Sequence, residues 1–449
     1  MLPNRVPAEE VDSSPLGEPL QFEFSGRVAT NRFLKSSMSE KFSSWNPLVL
    51  EDRGIPSTGL INLYKRWGEG GWGILLTGNV MLDYDHLEGP GNAIIPRGSP
   101  FSGDRFDAFE ALAKSAKKGG SLIIAQLSHP GRQTPDNIQQ YPISASDVQL
   151  EGRTLGSLFA KPRAMVKTDF DDVIEGFAHA AEYCYKAGFG GIELNAAHGY
   201  LLTQFLSPST NLRKDQYGGS IENRSRIILE ITHAIRARVP KTFSLGIKAN
   251  SVEFQEGGFT TEDSKIFCTH LENAGFDWIE LSGGTYQAPA LSHVRESTKK
   301  REAYFLEFAE MIIPELKRTK VYVTGGLRTV NAMVNAVASV HGVGLARPSV
   351  HELDFPRKVL EGKANSVPQL LIDEQDFPTS SIAAGIQMRL VGNDKQPLDL
   401  SRENHMEVFT NTMLKFFGEM AQNADGSKFG FPDIEGFPLN PFGTSYQER

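Results

Sequence analysis

Gly191-Ile192-Glu193-Leu194-Asn195-Ala196-Ala197-His198-Gly199-Tyr200 is the stretch on which the reading of the fold turns. Its first five residues read as one buried strand. Asn195, His198 and Tyr200 then leave the end of that strand within six residues. A hydrogen-bonding pair and a potential proton donor are thereby gathered at one strand terminus. Chemistry on a conjugated carbonyl needs that kit: two donors on an oxygen and a nearby acid.

Outward from this strand, the chain alternates from about Asn31 to Pro356. Short apolar runs are followed by amphipathic stretches. Strands are expected at Phe33–Ser37, Gly73–Thr77, Leu122–Gln126, Gly191–Asn195, Ser244–Lys248, Trp278–Leu281, Val321–Thr324 and Gly342–Ala346. Helical spacing falls between them, as at Asp171–Ala187, Ile221–Arg238, Thr261–Ala274 and Val330–Ser339. Glu262 and Asp263 suit a helix start at Thr261, and Gly188 and Gly275 suit helix stops. Strands interleaved with helices predict one closed parallel sheet, an α/β fold of the (β/α)8 TIM barrel type. The barrel is expected over residues 21–360. Gln21-Phe22-Glu23-Phe24, Ser25-Gly26 and Arg27-Val28 predict a small N-terminal hairpin cap at the barrel bottom. Residues 1–20 read as a loose N-terminal arm. Residues 361–449 read as a C-terminal helical and irregular extension, with a helix at Asn404–Met420 carrying Met406, Phe409, Met413, Phe416 and Phe417 on or near one face.

Composition narrows the class. The chain has 449 residues, 40% of them hydrophobic, which is ample for a sizeable core. A formal net charge of −8 supplies no basic field for nucleic acid or anionic lipid. Two cysteines, Cys184 and Cys268, exclude a disulfide framework and a four-cysteine iron–sulfur cluster. Met1 to Pro15 lacks the apolar core of a signal peptide, and no apolar run is long enough for a membrane span. A cytoplasmic protein acting on a small molecule is expected, as a monomer or homodimer.

In such barrels the chemistry sits at the C-terminal ends of the strands. Here those ends carry Ser37, Met38 and Ser39, then Asn79, Gln126, the Asn195–Tyr200 group and Lys248. Ser282-Gly283-Gly284-Thr285-Tyr286, Thr324-Gly325-Gly326 and Ala346-Arg347 complete the ring. The last two suit a phosphate. Glycine lets backbone N–H groups approach an anion, and Arg347 adds a cationic fork. Taken alone, the pair of glycines also reads as an ordinary turn. Tyr200 alone also reads as a core aromatic, and His129 as a structural loop residue.

The run from Glu193 to Pro208, continued by Asn211-Leu212-Arg213-Lys214-Asp215-Gln216-Tyr217-Gly218-Gly219-Ser220-Ile221-Glu222-Asn223-Arg224, closely resembles the signature of the old yellow enzyme family. Asn31-Arg32, Gln126-Leu127 with Gly131-Arg132, and Thr324-Gly325-Gly326 match as well. The resemblance covers roughly residues 22 to 360. It implies an FMN-dependent NAD(P)H oxidoreductase, an ene-reductase that reduces the C=C bond of an enone or enal by ping-pong hydride transfer. Ser37, Met38, Ser39, Asn79 and Gln126 would meet the flavin. Lys248 would stand at flavin N1, where a cation stabilises negative charge on the reduced ring. Gly325, Gly326, Ala346 and Arg347 would hold the phosphate. Asn195 and His198 would polarise the substrate carbonyl, Tyr200 would donate the proton, and Tyr286 would line the substrate. No metal is expected. The family usually has His first and Asn or His second in the carbonyl pair, Arg in place of Lys248, and Gly or Ala in place of Asn79.

Two other enzyme readings compete with this one. Lys248 with Ala249-Asn250-Ser251 looks like the dienoyl-CoA reductase branch, yet the cysteine count forbids its cluster. The tail is also too short for its second dinucleotide domain. A phosphate-binding aldolase-type barrel would lack a flavin. From a different class comes a flavin-binding barrel without reductase turnover, an isomerase or binding module.

Overall fold

The computed structural model describes residues 4–153, 156–250, 258–283, 306–373, 376–423 and 425–446. Eight parallel strands close into a ring: β1 (Phe33–Lys35), β2 (Ile74–Met81), β3 (Leu122–Ser128), β4 (Gly191–Ala196), β5 (Ser244–Asn250), β6 (Trp278–Ser282), β7 (Lys320–Thr324) and β8 (Gly342–Leu345). Each pairs with its neighbours in sequence, and β8 pairs with β1 to shut the ring. Helices α1 (Thr58–Gly68), α2 (Asp104–Ala116), α3 (Lys167–Lys186), α4 (Arg226–Arg236), α5 (Thr261–Asn273), α6 (Leu306–Ile312), α7 (Val330–Val337) and α8 (Phe355–Leu360) follow the strands in turn. This is the predicted (β/α)8 barrel. Parallel neighbours require crossovers, and strands covered on both faces read as apolar runs.

Side chains pointing into the barrel form two kinds of layer. The lower one is apolar: Leu34, Ile74, Leu76, Ile124, Trp278 and Tyr322. Large rings there face glycines on the neighbouring strand. A Cβ on Gly246 would lie 2.0 Å from the Trp278 ring, and one on Gly342 would lie 2.2 Å from the Tyr322 ring. The upper layer is polar and buried: Ser36, Gln126, Glu193, Lys248, Glu280 and Thr324. The floor is therefore a packed core, and hydrogen-bonding chemistry begins one layer below the mouth.

The expected hairpin closes the bottom. Leu20–Gln21 pairs antiparallel with Val28–Ala29. The Phe22 ring stands 5.2 Å from that of Trp278, and Ser25 N–H donates to Asp277 Oδ1 at 2.9 Å. The helix expected from Thr261 forms, and its Thr260 hydroxyl and Asp263 carboxylate cap one another's backbone N–H.

Four local expectations need correction. The described part of the N-terminal arm is tied down rather than loose. Arg5 binds the Glu352 carboxylate at 2.7 Å, Val6 N–H donates to Val367 O at 3.1 Å, and Leu16 is fully buried. Strand β2 does not end at Thr77. A register shift between Leu76 and Asn79 lets it continue to Met81, so Asn79 belongs to the strand. The helix expected over Ile221–Arg238 is interrupted at Ser225, giving Ile221–Arg224 and then α4. Beyond the barrel lie α9 (Phe377–Gly392), packed on α1, and α10 (Glu403–Met420). On α10 Phe409 is buried, but Phe417 is exposed, so the apolar face fails in its last turns. Among the described residues no helix is long and apolar enough to cross a membrane.

Candidate active site

The polar groups at the mouth form two hydrogen-bonded sets. The first spans β2, β3 and β4. Asn195 Nδ2 donates to Asn79 Oδ1 at 2.9 Å and lies 3.4 Å from Gln126 Oε1. Asn79 Nδ2 in turn reaches the Tyr200 hydroxyl at 3.2 Å and Glu88 Oε2 at 2.8 Å. Ser39 donates its hydroxyl to the same Glu88 oxygen. Gln126 Oε1 accepts from Ser37 Oγ at 2.7 Å, while its amide nitrogen donates down to Glu193 Oε1 at 2.7 Å. The Met38 carbonyl closes against Gly78, where a Cβ would lie 2.3 Å away. Six residues singled out from the sequence, Ser37, Ser39, Asn79, Gln126, Asn195 and Tyr200, thus share one network.

The second set spans β5, β6 and β7. Lys248 Nζ lies 3.1 Å from Glu280 Oε1 and donates to Ser36 Oγ at 3.0 Å. The same Glu280 oxygen accepts from Ser36 Oγ at 2.5 Å and from Thr324 Oγ1 at 2.6 Å. Burial opposes ionisation of Glu280, but Lys248 and the two hydroxyls prevail and hold its carboxyl below the usual range. Glu193 goes the other way: burial first, then the charge on Glu280, push it well above that range. Lys248 is therefore shared unequally, and Glu280 takes it.

His198 belongs to this second set. Its Nε2 lies 2.9 Å from Ser282 Oγ, and its backbone N–H donates to Asn250 Oδ1 at 3.2 Å. Burial, then the nearby Lys248 charge, push its imidazole down to about 3, so it is neutral at working pH. Its backbone is left-handed, with φ 56°, an uncommon conformation for a residue with a side chain. Asn195 and His198 make their hydrogen bonds to the strands flanking β4, Asn195 toward β2 and β3 and His198 toward β5 and β6. Tyr286 lies outside the described residues.

After β7, Gly325 and Gly326 have φ values of 137° and 77°. After β8, the Ala346 carbonyl accepts from Ser349 N–H at 2.9 Å. Arg347 donates to the Ser380 hydroxyl of α9. Arg328 and Arg347 line one cleft with His351 and Ser380. Arg328 was not expected there. Its position, just past the paired glycines, was the available signal.

Residues 15–366 match the NADH:flavin oxidoreductase / NADH oxidase family. The chain belongs to that family. Among its relatives is the NADH-dependent flavin oxidoreductase nadA of Aspergillus parasiticus, 47% identical over 406 residues, covering 90% of this chain and 91% of that protein. The NADH-dependent flavin oxidoreductase iccE of Talaromyces variabilis is 36% identical over 359 residues, covering 75% and 84%. The fold is shared with the old yellow enzyme homologue from Zymomonas mobilis: TM-score 0.63, 20% identity, 78% of this chain and 94% of that one. The protein is an oxidoreductase with FMN as cofactor and NAD(P)H as reductant.

The residues present fit such a cofactor. Among the described residues, Asn250 Nδ2 is buried with no hydrogen-bond partner. Leaving such a group unsatisfied costs about 1–3 kcal/mol, so a polar cofactor at the mouth would have an atom to satisfy. The Lys248 ammonium and the two arginines are of a chemistry that would suit the carbonyl, hydroxyl and phosphate groups of a flavin.

Asp83, His86 and His129 form a further cluster of metal-ligating types, their nearest atoms within 4.8 Å of one another. Its hydrogen bonds suit support better than ligation. Gly131 N–H donates to His129 Nδ1 at 3.0 Å, so neutral His129 carries its proton on Nε2, which faces Asp83 Oδ2 at 3.6 Å. A ligand nitrogen would have to be bare.

Sequence reasoning missed Glu280 and Glu88, and gave Glu193 no role. An acid inside an apolar strand, as in Trp278-Ile279-Glu280-Leu281 and Ile192-Glu193-Leu194, was the signal. Acids are seldom fully buried without a partner.

Proposed function

We propose that this family member reduces the C=C bond of an α,β-unsaturated ketone or aldehyde in a ping-pong sequence, with NAD(P)H and then the enone using one pocket. When bound, FMN supplies the hydride-transfer chemistry. The chain's own residues orient the partners and handle charge and the proton. Asn195 Nδ2 and the neutral His198 ring donate to the carbonyl oxygen, so charge developing there meets dipoles already in place. Tyr200 gives its hydroxyl proton to Cα. Gln126 and Ser37 hold the pyrimidine edge of the cofactor, and Gly325, Gly326, Ala346 and Arg347 its phosphate.

The observation that carries this reading is the Asn79 bridge. One amide accepts from Asn195 and donates to the Tyr200 hydroxyl. The acid and one carbonyl donor are thereby fixed relative to each other, which a core tyrosine with a satisfied hydroxyl would not require. Such fixing matters because misplacement by about 1 Å costs on the order of 100-fold in rate.

Tyr200→Phe tests it. The ring stays and only the hydroxyl goes. Stopped-flow measurement should find FMN content and reduction by NADH or NADPH near normal. Enone reduction should slow by about 10²–10⁴-fold, the usual contribution of a general acid. Quinones, which take no proton on carbon, should be spared. Equal slowing of both half-reactions, or normal enone turnover, would remove Tyr200 as the donor.

A further inference from the structure

Charge at the flavin-facing layer of the barrel is set by a pair. Lys248 is the cation there, and it does not stand alone. Glu280, on the adjacent strand and directly in register with it, is fully buried and 3.1 Å from Nζ. Among the described residues three donors reach this carboxylate, and all converge on one oxygen: Lys248 Nζ, Ser36 Oγ and Thr324 Oγ1. The other oxygen, Oε2, is buried and accepts nothing from the described residues. A carboxylate held this way is fixed beside the ammonium from three strands and has no second role among the described residues. Two opposite charges this close in a poorly solvated layer present a weak net field to anything above them.

We propose that Glu280 is a positioning and counter-charge residue for Lys248, so that the bound flavin sits over a neutral ion pair and its reduction potential is kept lower than an unpaired lysine would make it. The proposal rests on the reading that Lys248 faces the flavin. An unpaired cation at that place favours the more negative, reduced form of the cofactor. The pair also explains how lysine is tolerated in a buried layer, where an isolated charge would be costly. Glu193, a second acid on the neighbouring side of Lys248, is pushed toward its protonated form by burial and then by the charge on Glu280.

Glu280→Gln separates charge from shape. The amide oxygen can keep the position of Oε1 and its three donors, and the amide nitrogen falls where Oε2 accepts nothing. The readout is the midpoint potential of bound FMN, taken by spectroscopic titration against dyes, with flavin content measured on the same sample. The variant should favour reduced over oxidised flavin at least about tenfold more than the wild type, an upward shift of about 30 mV for a two-electron couple. The double variant Lys248→Met/Glu280→Gln removes both charges and buries none. Its potential should return to within about threefold, about 15 mV, of the wild type. An unchanged potential in a fully flavinated Glu280→Gln protein overturns the proposal. If that variant does not hold flavin, a double variant at least about tenfold less favourable to reduced flavin than the wild type overturns it, because Lys248 would then act unscreened. Wild-type protein that purifies without the yellow absorbance of a flavin would instead defeat the FMN reading beneath it.

Discussion

Asn79 joins two groups that the proposed chemistry uses at different atoms of the substrate. Its oxygen accepts from Asn195 and its nitrogen donates to Tyr200 and Glu88. Asn79→Ala should slow the enone half-reaction about two- to tenfold, the equivalent of one hydrogen bond of about 0.5–1.5 kcal/mol. Reduction by NADH should change little. Asn195→Ala and His198→Ala should weaken phenol binding, phenols being mimics of an enolate, and loss of one such donor commonly costs about 100-fold in rate. His198, pushed down to about 3, should contribute no titration to phenol binding between pH 5 and 9. Glu193 makes a separate pH prediction. Its folded pKa lies above the unfolded one. Below the unfolded value both states are protonated and nothing is lost. As pH rises above it, the unfolded state releases a proton that the folded state keeps, so wild-type stability falls. Glu193→Gln should remove that part of the slope. Melting temperatures from pH 5 to 8 check it: the variant must lose less on going alkaline than the wild type.

At the level of elements, each strand end delivers a functional group and each strand start fills the floor. The pairing of large rings with glycines is strict there. Gly246→Ala would force a Cβ to within 2.0 Å of the Trp278 ring. Overpacking of this sort costs about 1–3 kcal/mol, so the melting temperature should drop. The barrel floor is separated from the mouth by the polar layer, and the flavin spectrum of the folded variant should therefore stay normal. The start of α9 matters differently, because Ser380 takes a hydrogen bond from Arg347. Arg347→Ala removes a charge-assisted contact worth about 1.5–3 kcal/mol. Equilibrium titration of apoprotein with FMN should find affinity at least about tenfold lower, and unchanged affinity would reject the phosphate role. Ser380→Ala should weaken FMN less, since the cation stays and only its tether goes.

Over the whole molecule, segments far apart in sequence brace the barrel. The hairpin seals the bottom through Phe22 on Trp278, the arm reaches Glu352 and Val367, and α9 rests on α1. The alternation of continuous apolar runs with amphipathic stretches of period near 3.6 is a local property. That is why eight strands, their order and their closure were readable from the residues alone. The positions at the strand ends were readable for the same reason: topology puts every C-terminal end at one mouth. What the sequence could not supply is which side chains meet across the barrel. Lys248 and Glu280 lie on different strands, 32 positions apart, and become an ion pair only when register aligns them. Asn195 and His198 lie three residues apart, yet they hydrogen-bond to strands on different flanks of β4. The arm's attachment and the tether on Arg347 likewise depend on surfaces that exist only once the ring has closed. Periodicity determined the scaffold, because it is written residue by residue. The charge and hydrogen-bond partners of the site were decided by tertiary structure, because they depend on distances between strands that the chain order does not contain.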